Sequence, residues 1–125
     1  MIEIIIDGLS RSITNLHTGE SFKTKILKVT SSELKKIKKL KGSNKWSFNW
    51  TEAGGEVYKL VTINNPQIIH GLISLDDRND NIFVNLIESS PVNVGKNKIY
   101  QGIPANLFAY ACYISYTKGY GGVVS

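Results

Sequence analysis

Between Val57 and Glu88 the chain presents three apolar, β-branched runs in quick succession: Val57 to Ile63, Ile68 to Leu75 and Ile82 to Glu88. Only Asn64-Asn65-Pro66 and the acidic, asparagine-rich stretch Asp76 to Asn81 separate them. Runs of this length bounded by turn-forming residues read as strands, and connections this short leave no room for a crossover helix. The three are expected to form an antiparallel meander. Asp76, Asp77 and Asp80 lack the glycine and closing glutamate of a calcium loop, so they read as a solvated turn.

Upstream, Met1 to Ile6 and Ser10 to Leu16 read as a hairpin about Asp7-Gly8, and Phe22 to Val29 alternates in the manner of a half-buried strand. Thr30 with Glu33 three residues on forms a capping box. It predicts a helix over 31–42 with Leu34, Ile37 and Leu40 on its apolar face and Gly42 as its stop. Trp46, Phe48 and Trp50 alternate with Ser47 and Asn49, predicting a short strand with all three aromatics in the core. At 125 residues and 42% hydrophobic the chain suits one domain. Its expected order is N-terminal strands (1–30), a lysine-rich helix (31–42), the meander (46–88), then a loop, a helix and a final strand (89–125).

The formal net charge is +5, and Lys35, Lys36, Lys38, Lys39, Lys41 and Lys45 supply much of it. Such a cluster attracts anions of any kind, from nucleic acid to phosphate-rich cofactors. Nucleic acid would also need Trp46, Phe48 or Trp50 exposed for stacking, and these read as core, so a solvated helix face is expected and nucleic acid is disfavoured. The start Met1-Ile2-Glu3-Ile4 has no basic leader, and no apolar run approaches membrane-spanning length. A single cysteine, Cys112, makes no internal disulfide and reads as a small packed side chain. A cytoplasmic protein without a membrane partner is expected. His17 and His70 have no third ligand at metal spacing, so no metal is expected.

After Glu88 the pattern changes. Ser89-Ser90-Pro91 breaks the strand, Val92 to Tyr100 reads as a loop, and Pro104 suits the first turn of a helix running to about Lys118 with Ile103, Leu107, Ala111 and Ile114 on one face. Gly119 is a natural stop, and Val123-Val124 opens another strand. A helix entrance reached through a small-residue turn offers unpaired N–H groups and a positive dipole end. This segment resembles the acetyl-CoA-binding core of the GNAT N-acetyltransferase superfamily, in particular a bacterial GNAT-like subgroup. The family's pyrophosphate turn is Gln/Arg-x-x-Gly-x-Gly/Ala with a leucine three residues on. Gly102 falls on the first glycine and Leu107 on the leucine, whereas Ile99 stands at the Gln/Arg and Pro104 at the second small position.

The resemblance implies an α+β, GNAT-like acyl-CoA N-acyltransferase fold with a mixed, mostly antiparallel sheet, its final strand parallel to and splayed from the Ile82 to Glu88 strand. It implies acetyl-CoA as acyl donor and an unknown amine as acceptor. The pyrophosphate would lie against Gly102, Ile103, Ala105 and Asn106, with Lys96, Lys98 and Gln101 assisting. The pantetheine would run alongside Leu86, Ile87 and Glu88, with Glu88 as candidate base. A non-catalytic CoA-binding or scaffold protein is the alternative. Because the family continues with a further helix and two strands, the chain is expected to be C-terminally incomplete and to cover the exposed surface as a homo-oligomer. Tyr116 and Tyr120 read as packing residues.

Overall fold

The computed structural model describes residues 11–95 and 98–125. The expected strand Met1 to Ile6, its Asp7-Gly8 turn and Lys96 lie outside them. The strands are β1 (Ser12–Asn15), β2 (Ser21–Lys28), β3 (Glu56–Thr62), β4 (Gly71–Asp77), β5 (Ile82–Ser89) and β6 (Tyr100–Gln101), and the helices are α1 (Ser31–Lys38) and α2 (Ile103–Thr117). They form an α+β arrangement with one antiparallel sheet in the order β5-β4-β3-β2-β1-β6. The meander β3-β4-β5 forms as the sequence predicts, but it begins at Glu56, and its middle strand runs Gly71–Asp77 rather than Ile68 to Leu75, taking Asp76 and Asp77 from the expected turn. No strand forms over Trp46 to Trp50.

That segment instead folds as 3₁₀ turns at Gly42–Asn44 and Trp50–Glu52 joined by a bend. Trp46 and Trp50 are buried edge to face, whereas Phe48 is 48% exposed. The reason is local polar competition. The Asn49 side chain accepts from the Thr51 N–H, and the Glu88 carboxylate accepts from the Ser47 and Phe48 N–H groups, removing donors a strand ladder needs. Helix α1 keeps its capping box, with Thr30 and Glu33 bonded reciprocally, but ends at Lys38 rather than Gly42. Only Leu34 and Ile37 reach the core, and Leu40 stays exposed as the chain turns at Gly42, φ +66°, to bring the tryptophans back.

Two cores flank the sheet. One packs α2 through Ile103, Leu107 and Ala111 against Ile13, Leu60, Ile73, Leu75 and Ile82. The other packs Ile37, Trp46 and Trp50 against Val29, Val57 and Leu72. Strand β6, not foreseen from sequence, pairs Tyr100 with Asn15 and Gln101 with Thr14, so the loop after β5 crosses to the far edge of the sheet. The sheet curls around the start of α2. A Cβ on Gly102 would stand 3.4 Å from the Ser12 carbonyl in β1, and one on Gly71 in β4 would stand 2.7 Å from Ile103 and 2.9 Å from Leu107.

β4 and β5 are out of simple register at one point. Leu75 pairs with Val84 and Ser74 with Leu86, leaving Asn85 as the extra residue of a β-bulge. Side chains before the bulge, Ile82 and Val84, join the α2 core, whereas Leu86 joins the tryptophan core. An uninterrupted strand would keep all three on one face.

Helix α2 sits on β4 only because position 71 has no side chain. Gly71→Ala is expected to push Ile103 outward and to lower stability by about 1–3 kcal/mol. Chemical denaturation checks this: an unchanged midpoint would show that the helix re-seats freely.

Candidate functional site

The first feature is a fork at the sheet edge. After α2 a glycine-rich turn returns the chain to β5, where Val124 bridges Ile82 in parallel. The Ile82 N–H donates to the Val123 carbonyl at 3.2 Å, the Ser125 N–H to the Ile82 carbonyl at 2.9 Å and the Val84 N–H to the Ser125 carbonyl at 2.8 Å. Beyond Val84 the outer edge of β5 has no strand partner among the described residues. The return is pinned from both sides. Ser115 Oγ donates to the Val123 carbonyl, the Tyr120 hydroxyl to Asp77 Oδ1, and Lys118 pairs with Asp77 Oδ2 at 3.0 Å.

The second feature is the entrance of α2. Gly102 adopts φ +102°, a left-handed conformation that a side chain disfavours, and no side chain caps the helix. Asn106, 2% exposed, organises the first turn: its Nδ2 donates to the Ser12 and Gly102 carbonyls and its Oδ1 accepts from Thr24 Oγ1. Beside it lies a cleft of about 210 Å³ lined by Arg11, Thr24, Lys25, Ile26, Asn106 and Tyr110 among others. Gly71, which abuts Ile103, pairs with Ser89, so the helix entrance overlies the end of the β4–β5 pair while reaching across to β1.

The third feature is Glu88. Its Oε2 accepts from the Ser47 N–H at 2.7 Å, and its Oε1 from the Phe48 N–H at 3.3 Å and from Trp50 Nε1 at 2.8 Å. The bulge at Asn85 is what turns this carboxylate toward the tryptophan face. Above it the loop and α1 enclose a groove of about 350 Å³.

The residues expected around a cofactor therefore divide. Gly102, Ile103 and Asn106 gather at the helix entrance, with Ala105 exposed beside them. Gln101 is held in β6 and Lys98 is exposed in the preceding loop. Leu86 packs on the tryptophan core, Ile87 is exposed and Glu88 is held by its three donors. Thus Leu86 and Glu88 point away from α2. Arg11, Thr24 and Lys25 were missed as site residues, because long-range pairing alone brings them to the cleft beside Asn106; Phe48, named for stacking, was placed in the core of a strand that does not form.

The remaining singled-out groups are accounted for locally. His70 is buried with its ring edge-on to Tyr100 at 4.9 Å, and burial lowers its pKa. Burial likewise raises the pKa of Cys112. No helix among the described residues is long and apolar enough to cross a membrane. Compared with known protein families, curated proteins and solved structures, the chain finds no match.

Two expectations follow. Glu88→Ala removes the acceptor from three N–H donors and should cost about 2–3 kcal/mol with a red shift of tryptophan emission, while Glu88→Gln, which keeps one oxygen, should cost less. Equal denaturation midpoints for both variants would show that the carboxylate does not hold the loop. The Tyr120 hydrogen bond, followed by the Asn79 N–H and Lys118, holds the Asp77 pKa down from 3.8 to about 2. A depressed folded-state pKa means that this contact stabilises the fold above 3.8 and is lost as pH falls through about 2. Amide exchange at Val84 and Ser125, corrected for its intrinsic pH dependence, should quicken over that interval in the native chain and not in Asp77→Asn.

Proposed function

We propose that the chain is a GNAT-like domain that binds acetyl-CoA at the forked edge of its sheet and presents the acetyl group to an amine. The observation that carries this is the parallel return of Val123 to Ser125 onto Ile82 and Val84 after α2, beyond which β5 has no outer strand partner among the described residues. An open strand edge offers unpaired amide groups that suit the two amides of a pantetheine arm. The entrance of α2 overlies the same end of β5, and the N–H groups of Gly102, Ile103 and Ala105 there suit a pyrophosphate, Pro104 having none to give.

In transfer, the amine nitrogen attacks the thioester carbonyl, the C–N bond forms, the C–S bond breaks and the amine proton passes to a base. Glu88 is the proposed base. Its oxygens are engaged with Ser47, Phe48 and Trp50, so taking a proton requires one of those donors to be released. In the arrangement described here its work is to position the loop. A CoA-binding protein without transfer remains the alternative, separated from an enzyme by release of free thiol on adding amines.

Calorimetry with acetyl-CoA, desulfo-CoA and ATP tests the cofactor. Saturable binding of the first two, and at least tenfold weaker binding of ATP, is the expected result. Gly102→Asn and Gly102→Asp make a matched pair, because both residues tolerate positive φ and differ mainly in charge. The aspartate should weaken acetyl-CoA binding about tenfold relative to the asparagine, a difference of about 1.4 kcal/mol. If neither variant alters binding, or acetyl-CoA does not bind at all, the proposal fails.

A further inference from the structure

From Leu34 to Thr51 the chain carries six lysines and no acidic residue. Lys35, Lys36, Lys38, Lys39, Lys41 and Lys45 are all exposed, and among the described residues none forms an ion pair. Of the nearby acids, Glu33 pairs with Lys59 and Glu56 with Lys28, the Glu88 carboxylate is taken up by the Ser47, Phe48 and Trp50 N–H groups, and Glu52 forms no ion pair among the described residues. The negative end of the α1 dipole favours Lys35, Lys36 and Lys38, which lie in its last turn, but Lys39, Lys41 and Lys45 lie beyond it. Six exposed like charges, none of them in an ion pair among the described residues, make a standing attraction for a polyanion.

Beside these lysines is an aromatic groove. Lys38 and Lys45 line it, Ile37, Trp46 and Trp50 form its buried lining, and Phe48 is half exposed at it. Phe48 is offered from an anchored backbone, since its N–H and that of Ser47 are held by Glu88. A ring already fixed loses little freedom when a planar partner stacks on it.

We propose that this groove binds single-stranded nucleic acid, one base stacking on Phe48 while neighbouring phosphates follow the lysines. A positive track with an interleaved aromatic is the arrangement that binds single strands without regard to sequence. A duplex hides its base faces and would leave Phe48 idle. A membrane surface suits the groove less, because Leu34 and Ile37 are turned into the core and α1 has no apolar face left to insert. An acidic peptide would use the lysines, but its carboxylates offer no aromatic face to stack on Phe48. The surface lies on the face opposite α2 and does not depend on acetyl-CoA binding.

The test is fluorescence anisotropy of the full chain with labelled mixed-sequence RNA and DNA strands of about 12 nucleotides. With four phosphates engaged, affinity should fall about 50-fold between about 50 mM and about 200 mM salt. Neutralising Lys35, Lys36, Lys38 and Lys39 together to Gln should remove most of that slope. Phe48→Ala should weaken single-strand binding about tenfold, keep the salt slope and leave duplex binding unchanged. These side chains are exposed, so circular dichroism should show the variants folded. The proposal is overturned by absence of binding at low salt or by a Phe48→Ala variant that binds single strands as well as the native chain. It is equally overturned if polyglutamate or phosphatidylserine vesicles bind as tightly as RNA with the same response to the variants.

Discussion

A single extra residue, Asn85, determines which way the end of β5 faces. Before it, Ile82 and Val84 feed the core under α2; after it, Leu86 and Glu88 turn to the tryptophan side. The bulge is held by its own polar contacts, Asn85 Nδ2 donating to Ser74 Oγ at 3.2 Å and Ser74 Oγ in turn to the Gly54 carbonyl. Without it the carboxylate at 88 would sit over α2, and Ser47, Phe48 and Trp50 would lose their common acceptor. The seat of the loop that walls the lysine groove descends from this one change of phase.

The other face is organised by close approach. Gly71 lets α2 touch the sheet, and Asn106 ties the helix's first turn to β1 and β2 with every polar group of its side chain engaged. A buried amide half satisfied would destabilise the fold; fully satisfied, it fixes one orientation of the helix. The left-handed Gly102 then follows from geometry, since the chain must turn sharply from β6 into a helix already locked at both of its neighbours.

Local signals were the legible ones. The meander, the Thr30–Glu33 capping box, the Pro104 start of α2 and its buried face follow from periodicity and turn chemistry, whereas the strand expected at Val123-Val124 is reduced to a single parallel bridge to Ile82. The misplaced strand at Trp46 to Trp50 shows the limit. Its period-two pattern is genuine, but Trp46 and Trp50 also stand four apart, and a carboxylate some forty residues distant settles the choice. Likewise nothing near Val92 to Tyr100 announces β6, whose partner is Thr14-Asn15 near the other end of the chain. Of the cofactor residues, those around Gly102 were legible as a group because they are contiguous. The turn of Leu86 and Glu88 to the tryptophan side was not, because a bulge leaves little trace in composition.

The pairing of β1 with β6 has a consequence for synthesis on the ribosome. Asn106 and Ser12, which lock the sheet to α2, lie 94 residues apart. Strands β1 and β2 and the meander are translated, and can pair, well before the residues that cover the outer side of β1 exist. Contacts of such separation form late because closing so long a loop must precede any gain from it. Among the described residues β6 is the partner on the outer side of β1, so until Tyr100 and Gln101 are made that edge has no partner among them and is of the kind a chaperone or a neighbouring nascent chain can pair with.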